Sequence, residues 1–251
     1  MTGVAGRVAM VTGAGRGIGR RTAELLAERG ANVMCVARSE NELADVGLPY
    51  TVADLGTPDG CAAAVASTED RLGPVEIFVC NHGLGSAQEK VIWEQNPELW
   101  AETMRVNLDG PFYLSRLIVG RMVEMGYGRV VYTSSTAGLV AEFAGSAYNS
   151  SKHGLLGLMR SVAVDAGPHG ITSNAVLPGW VRTEMAENSA AQEASDHGMT
   201  IDQVWERRAA LYPPGRVVSV DEVAETIAFL ASEQASGING EAIKVALGSV
   251  A

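Results

Sequence analysis

No apolar run in this chain approaches the roughly 18 residues that a membrane-spanning helix needs, so no span is expected. Cysteine is scarce. Cys35, Cys61 and Cys80 form an odd set without metal-ligand spacing, which leaves no basis for a disulfide framework or a cysteine-based metal site. Cys35 and Cys80 fall inside apolar runs, where a thiol serves as a small core residue, and a reducing cytoplasm suits this usage. Positive charge is in deficit, with 19 Lys+Arg against 29 Asp+Glu and a formal net charge of -10. A nucleic-acid binder would need a basic face; the acidity reads as solubility. The start, Met1-Thr2-Gly3-Val4-Ala5-Gly6-Arg7, has no charged segment leading into an apolar stretch, so no signal peptide is expected. Histidine–acid clusters for a metal are missing. No Gly-x-Ser-x-Gly elbow is present, which makes a serine hydrolase using His153 or His169 a poor reading.

What the 251 residues do contain is ordinary globular composition, 47% hydrophobic and 19% charged, enough for one large domain. Short apolar runs alternate with amphipathic segments. Strands are predicted at Arg7–Thr12, Asn32–Ala37, Tyr50–Ala53, Val75–Asn81, Arg129–Ser134, Thr172–Leu177 and Glu241–Val245. Helices are predicted at Gly17–Gly30, Pro58–Leu72, Pro97–Glu124 (bent at Pro111), Ala147–Ala166 and Val220–Ala231. Continuous apolar strands alternating with helices imply an α/β fold, a doubly wound parallel sheet covered on both faces. No linker or repeat divides it, so a single Rossmann-like domain spanning 1–251 is expected. Residues 183–214 break the alternation, and their place after a strand's carboxyl end suggests a partly helical substrate lid.

Such sheets bind ligands beyond the carboxyl ends of their strands. Thr12-Gly13-Ala14-Gly15-Arg16-Gly17-Ile18-Gly19 joins the first strand to the first helix. There glycines permit a sharp turn and close approach of a pyrophosphate, and the helix N-terminus supplies free N–H groups. The second strand ends Val36-Ala37-Arg38-Ser39, without the acid that would bind the ribose 2′-hydroxyl of NAD. Arg38 and Arg16 instead suit the 2′-phosphate of NADP, so NADP is expected over NAD. Further along, Tyr148 and Lys152 are four apart, which puts phenol and ammonium on one helix face. The ammonium is expected to lower the phenol pKa, enabling proton exchange with an alcohol or ketone.

With these residues in place, the chain resembles the short-chain dehydrogenase/reductase family from Arg7 to about Val245. The glycine turn is similar to the family's Thr-Gly-x-x-x-Gly-x-Gly. Asp54-Leu55 resembles its adenine-contacting pair, and Cys80-Asn81-His82-Gly83 its Asn-Asn-Ala-Gly, with Asn81 and Gly83 retained. Asn107 matches the helix asparagine, and Ser135, Tyr148 and Lys152 match the catalytic trio. Pro178-Gly179-Trp180-Val181-Arg182-Thr183 resembles the segment that holds the nicotinamide carboxamide. The resemblance implies hydride transfer between nicotinamide and a carbonyl carbon. Tyr148 is then acid or base, Lys152 binds the nicotinamide ribose, Ser135 hydrogen-bonds the substrate oxygen, and Asn107 positions a water. It also implies a homotetramer paired through the two long helices. His82 replaces an alanine and reads as a packed or solvent-facing residue ahead of a proton relay. Ser134 is the rival of Ser135, and the family spacing favours Ser135.

Leu84, Trp93, Val140, Phe143, Trp180, Met185, Trp205 and Tyr212 are the expected pocket residues. No lysine between Thr183 and Pro214 is there to grip a carboxylate, so a hydrophobic ketone or secondary alcohol is expected, with a thioester-linked 3-oxoacyl substrate still open. The rival readings are an NAD-dependent secondary-alcohol or 3-hydroxyacyl dehydrogenase of the same fold and, more remotely, a non-catalytic dinucleotide sensor.

Overall fold

In a computed structural model, residues 3–249 are described. Met1, Thr2, Val250 and Ala251 lie outside them, including the first two positions read for a leader and the chain end. Seven strands form one parallel sheet in the order β3-β2-β1-β4-β5-β6-β7. They are β1 (Val8–Thr12), β2 (Asn32–Ala37), β3 (Tyr50–Val52), β4 (Ile77–Cys80), β5 (Gly128–Thr133), β6 (Ile171–Pro178) and β7 (Ala242–Val245). The helices are α1 (Gly17–Glu28), α2 (Glu40–Ala44), α3 (Pro58–Leu72), α4 (Pro97–Met104), α5 (Gly110–Met125), α6 (Ser146–Ala166), α7 (Glu184–His197), α8 (Ile201–Ala209) and α9 (Val220–Leu230).

Every residue of β1, β4, β5 and β6 is buried, because helices cover both faces and successive side chains point to opposite sides. Ala9, Val11, Ile77, Val79 and Val131 pack with Leu26 of α1 and Ile227 of α9. Their neighbours Met10, Phe78, Cys80, Val130 and Tyr132 pack on the other face with Leu114 and Ile118 of α5 and Leu155 and Met159 of α6. All three cysteines are buried, and burial pushes each thiol up to about 12, so none is a nucleophile at neutral pH.

The chain leaves β1 toward β2 and β3, then returns to the other side of β1 at β4. This reversal opens a crevice at the carboxyl ends of β1 and β4. Thr12 ties its two lips together. Its Oγ1 donates to the Val79 carbonyl at 3.2 Å and accepts from the Asn81 N–H at 2.9 Å, and His82 Nδ1 lies 2.8 Å away. Thr12→Val keeps the shape but leaves these groups without a partner. A loss of about 2 kcal/mol is expected, read as a lower urea midpoint; an unchanged midpoint would show that water replaces the hydroxyl.

The short helix α2 was not expected from the sequence, and one long helix differs from its expected course. The helix expected to run from Pro97 to Glu124 is interrupted at Arg105–Asp109, ahead of Pro111, where the Gly110 N–H reaches the Arg105 carbonyl in a wider π turn. Pro111 has no N–H for the carbonyl of Asn107, so the regular ladder cannot pass this point. Residues 183–214 are partly helical as expected, carrying α7 and α8. Thr183 caps α7, and Thr200 with Gln203 forms a capping box on α8. The pair has its own small core of Ala186, Ala190, Ala194, Val204 and Trp205. Arg208 is 3% exposed, stacks on Trp180 at 3.6 Å and bonds Glu193 at 2.6 Å. No described helix is long and apolar enough to cross a membrane.

Candidate active site

A cleft of about 450 Å³ follows the carboxyl edge of the sheet, from the glycine turn to the start of α7. At one end the N-terminus of α1 is bare. Its N-cap, Arg16, makes no side-chain cap, and no acid lies in the first turn, whereas α2, α3, α4, α7, α8 and α9 all carry a side-chain cap. Uncapped N–H groups at the positive end of a helix dipole suit an anion. Gly13 holds φ at +64°, and a Cβ there would lie 2.9 Å from His82 Cα. A Cβ on Gly19 would run into the Gly13 carbonyl and the Asn81 amide. The turn is thus closed tightly against the strand ends from behind while its front stays open, and the residues present fit a dinucleotide pyrophosphate.

Gly13, Arg16, Gly17, Ile18, Arg38, Asp54 and Leu55 line this end. Asp54 accepts from the Gly56 N–H at 3.0 Å and lies 3.3 Å from Arg105; the backbone bond first, and Arg105 next among the charges, hold its carboxyl low. Arg38 is exposed. Arg16 bridges Glu42 of α2 at 3.1 Å and Glu184 of α7 at 2.6 Å. Both carboxylates line the cleft, and neither was legible in the sequence.

Asn81 and Thr183 stand beside the glycine turn, and Gly83, Leu84, Ser135, Tyr148, Lys152, Pro178, Gly179, Trp180, Val181 and Met185 carry the lining on toward the other end. Ser135 hydrogen-bonds the phenol of Tyr148, and its Oγ also accepts from the Ala137 N–H at 3.1 Å. Ser134 turns the other way, donating to the Lys152 carbonyl at 3.1 Å. Lys152 is 5% exposed. Its Nζ donates to the Thr133 carbonyl at 2.9 Å and stands 5.6 Å from the centre of the Tyr148 ring.

The phenol pKa is raised, opposite to the sequence expectation. Burial pushes Tyr148 up to about 12, against the opposing bond from Ser135, and pushes the Lys152 ammonium down to about 8. Two groups taken out of water both favour their neutral forms, and the ammonium is turned toward a carbonyl. His82 is packed at the crevice floor, and burial lowers its pKa to about 3, so it is neutral.

Asn107 stands one layer behind the wall. Its Oδ1 accepts from the Leu84 N–H at 2.7 Å, and its Nδ2 donates to the Leu84 carbonyl at 3.0 Å and Ser151 at 3.1 Å. The π turn therefore orients a side chain that fixes the loop beside Lys152. Glu89 fixes the same loop to the start of α6, its two oxygens accepting from the Ala147 and Tyr148 N–H groups at 2.7 and 2.8 Å.

Of the expected substrate residues, Leu84, Trp180 and Met185 line the cleft. Phe143 is 90% exposed, Trp93 is 80% exposed, and Val140 also faces outward. Trp205 packs edge-on against Trp180 in the small core of α7 and α8. Tyr212 supports the wall from behind, its hydroxyl accepting from the Trp180 N–H at 2.6 Å. Among the described residues no cluster of His, Cys, Asp or Glu could hold a metal ion.

Residues 13–249, nearly the whole described chain, match the family model described as enoyl-(acyl carrier protein) reductase. The chain belongs to the short-chain dehydrogenase/reductase family. Among relatives of this oxidoreductase family, 3-oxoacyl-[acyl-carrier-protein] reductase FabG of Vibrio cholerae is 33% identical over 96% of this chain and 96% of its own length. Levodione reductase superposes with a TM-score of 0.93 at 30% identity, covering 97% of each chain. A variant of actinorhodin polyketide ketoreductase solved with NADPH gives a TM-score of 0.89 at 32% identity over 96% of each. The family's short-chain frame accounts for the parallel sheet, the glycine turn after β1 and the trio after β5.

Proposed function

We propose that this protein is an NADP(H)-dependent reductase of hydrophobic ketones, reversible toward secondary alcohols, with Tyr148 as general acid and base. The observation that carries the reading is the meeting of Ser135, Tyr148 and Lys152 on one wall of a cleft whose far end is an uncapped helix N-terminus.

When bound, the reduced dinucleotide supplies the hydride. The N–H groups of α1 would face its pyrophosphate, Arg38 and Arg16 its 2′-phosphate, Asp54 and Leu55 its adenine, and Val181 and Thr183 its carboxamide. Lys152 would bind the nicotinamide ribose, and Asn107 would hold a water beside it. Ser135 donates a hydrogen bond to the substrate oxygen as charge develops there. Tyr148, with its pKa near 12, enters reduction already protonated at neutral pH and gives that proton to the oxygen. In oxidation it must first lose the proton, so the oxidative rate is expected to rise with pH. Leu84, Trp180 and Met185 give the substrate an apolar wall.

A homotetramer accords with Trp100, Phe112 and Val164 being exposed on α4, α5 and α6, and a cytoplasmic setting accords with three unpaired thiols. Support for NADP comes from Arg38 and from the NADPH in the actinorhodin ketoreductase structure. Glu42 favours the NAD-dependent reading, since a carboxylate on Arg16 competes with a 2′-phosphate.

Loss of reduced-nicotinamide absorbance with NADPH, NADH and a panel of ketones and 3-oxoesters tests the proposal. NADPH consumption with apolar ketones is expected. Arg38→Ala should lower kcat/KM for NADPH by about tenfold and leave NADH nearly unchanged. Preference of the wild type for NADH would overturn the cofactor assignment, and consumption of neither would overturn the reductase.

A further inference from the structure

One charged side chain at the reacting end of the cleft has no part in the chemistry above. Glu142 lies in the loop before α6, six residues ahead of Tyr148. Its backbone carbonyl accepts from Asn149 Nδ2 at 2.9 Å, which fixes the loop against the first turn of that helix. Its side chain lines the cleft together with Ser135, Tyr148 and Trp180. The carboxylate makes no hydrogen bond or ion pair with any described residue. Arg208 of α8 attracts it, but the two Nη groups of that guanidinium bond Glu193, Ser189 and the Ala186 carbonyl and its face stacks on Trp180, while its buried Nε makes no hydrogen bond to Glu142 or any other described residue. Tyr148, Arg208 and Tyr212 all feel its charge, so it belongs to the reacting end and not to the adenosine end. The carboxylate faces the open cleft without a protein donor, so a ligand hydroxyl can supply one. Burial raises its pKa.

We propose that Glu142 is the substrate-selecting group of this cleft. It accepts a hydrogen bond from a hydroxyl that the ketone or alcohol substrate carries away from its reacting carbon, and it turns away substrates ending in a carboxylate. Leu84, Met185 and Trp180 hold the carbon skeleton between the two polar ends. The substrate is therefore amphipathic, a hydroxylated ketone and not a short oxo acid. The assignment rests on the reductase reading for the reaction, while the selection itself is a matter of binding.

The test is calorimetric titration of the full chain saturated with oxidised NADP, or oxidised NAD if that binds instead, so that ketones bind without being reduced. The probes are three linear methyl ketones of matched length ending in a primary hydroxyl, a methyl group, and the carboxylate of levulinate. For the wild type, the hydroxyl-ended ketone is expected to bind about tenfold tighter than the methyl-ended one, and levulinate about tenfold weaker. Glu142→Gln, which keeps an acceptor but removes the charge, should bring levulinate close to the methyl-ended ketone while retaining part of the hydroxyl preference. Glu142→Ala should erase both differences. Unchanged ratios in both variants, or a wild type that binds levulinate as well as the hydroxyl-ended ketone or binds none of the three, would overturn the proposal. Turnover is measured separately. Its absence alongside the expected binding pattern sinks the reductase reading and leaves Glu142 as the selector.

Discussion

Tyr148→Phe is expected to lower ketone turnover by about a thousandfold while dinucleotide affinity stays nearly unchanged. The substitution removes one hydroxyl and keeps the ring in its place on α6. Ser135 loses a partner but retains its bond from the Ala137 N–H, and Lys152 retains the Thr133 carbonyl, so the wall itself is preserved. What disappears is the proton. His82 is neutral and held at Thr12, and Cys80 is pushed up to about 12; neither replaces a phenol at the reacting end. Single-turnover rates and a cofactor titration on the same preparation separate the two effects. Persistent turnover would mean that another group supplies the proton and would overturn the role given to Tyr148.

The sheet was legible because β1, β4, β5 and β6 are buried on both faces and so read as continuous apolar runs. The glycine turn and the Tyr148/Lys152 spacing were legible because each is local: a strand, a turn, one helix face. Burial was not. The sequence shows that an ammonium lies near the phenol, but the direction of both pKa shifts follows from how much water the folded site excludes. The helical character of residues 183–214 was legible but the bounds of α7 and α8 were not, because α7 is rich in alanine and polar residues with little apolar periodicity, although Thr183 and the Thr200–Gln203 pair already marked their starts. The acids on Arg16 come from positions 26 and 168 residues away, and no local pattern brings them together. Val140 and Phe143 lie between Ser135 and Tyr148 in sequence, yet Phe143 faces away; nearness in the chain does not fix side-chain direction.

Lys152→Met is expected to leave the protein nearly inactive and yet more stable at neutral pH. Lys152 is buried, and among the described residues its ammonium has no carboxylate partner, only the Thr133 carbonyl. Burial lowers its pKa from 10.5 to about 8. Below pH 8 the side chain is charged in the folded and the unfolded chain alike, and the folded state carries a penalty on the order of 3 kcal/mol, partly offset by the bond to Thr133. As the pH rises from 8 toward 10.5 the folded protein releases the proton before the unfolded chain does, so the penalty fades. Methionine has similar length and no charge to desolvate. Its stability gain should therefore be largest at and below pH 8 and shrink toward pH 10.5, as read from urea midpoints across that range. A gain that does not vary with pH would assign the effect to packing, and a loss at pH 7 would show that the Thr133 bond outweighs desolvation. The accompanying fall in turnover, about a hundredfold or more, would mark Lys152 as a group kept at the expense of stability because the site requires a charge there.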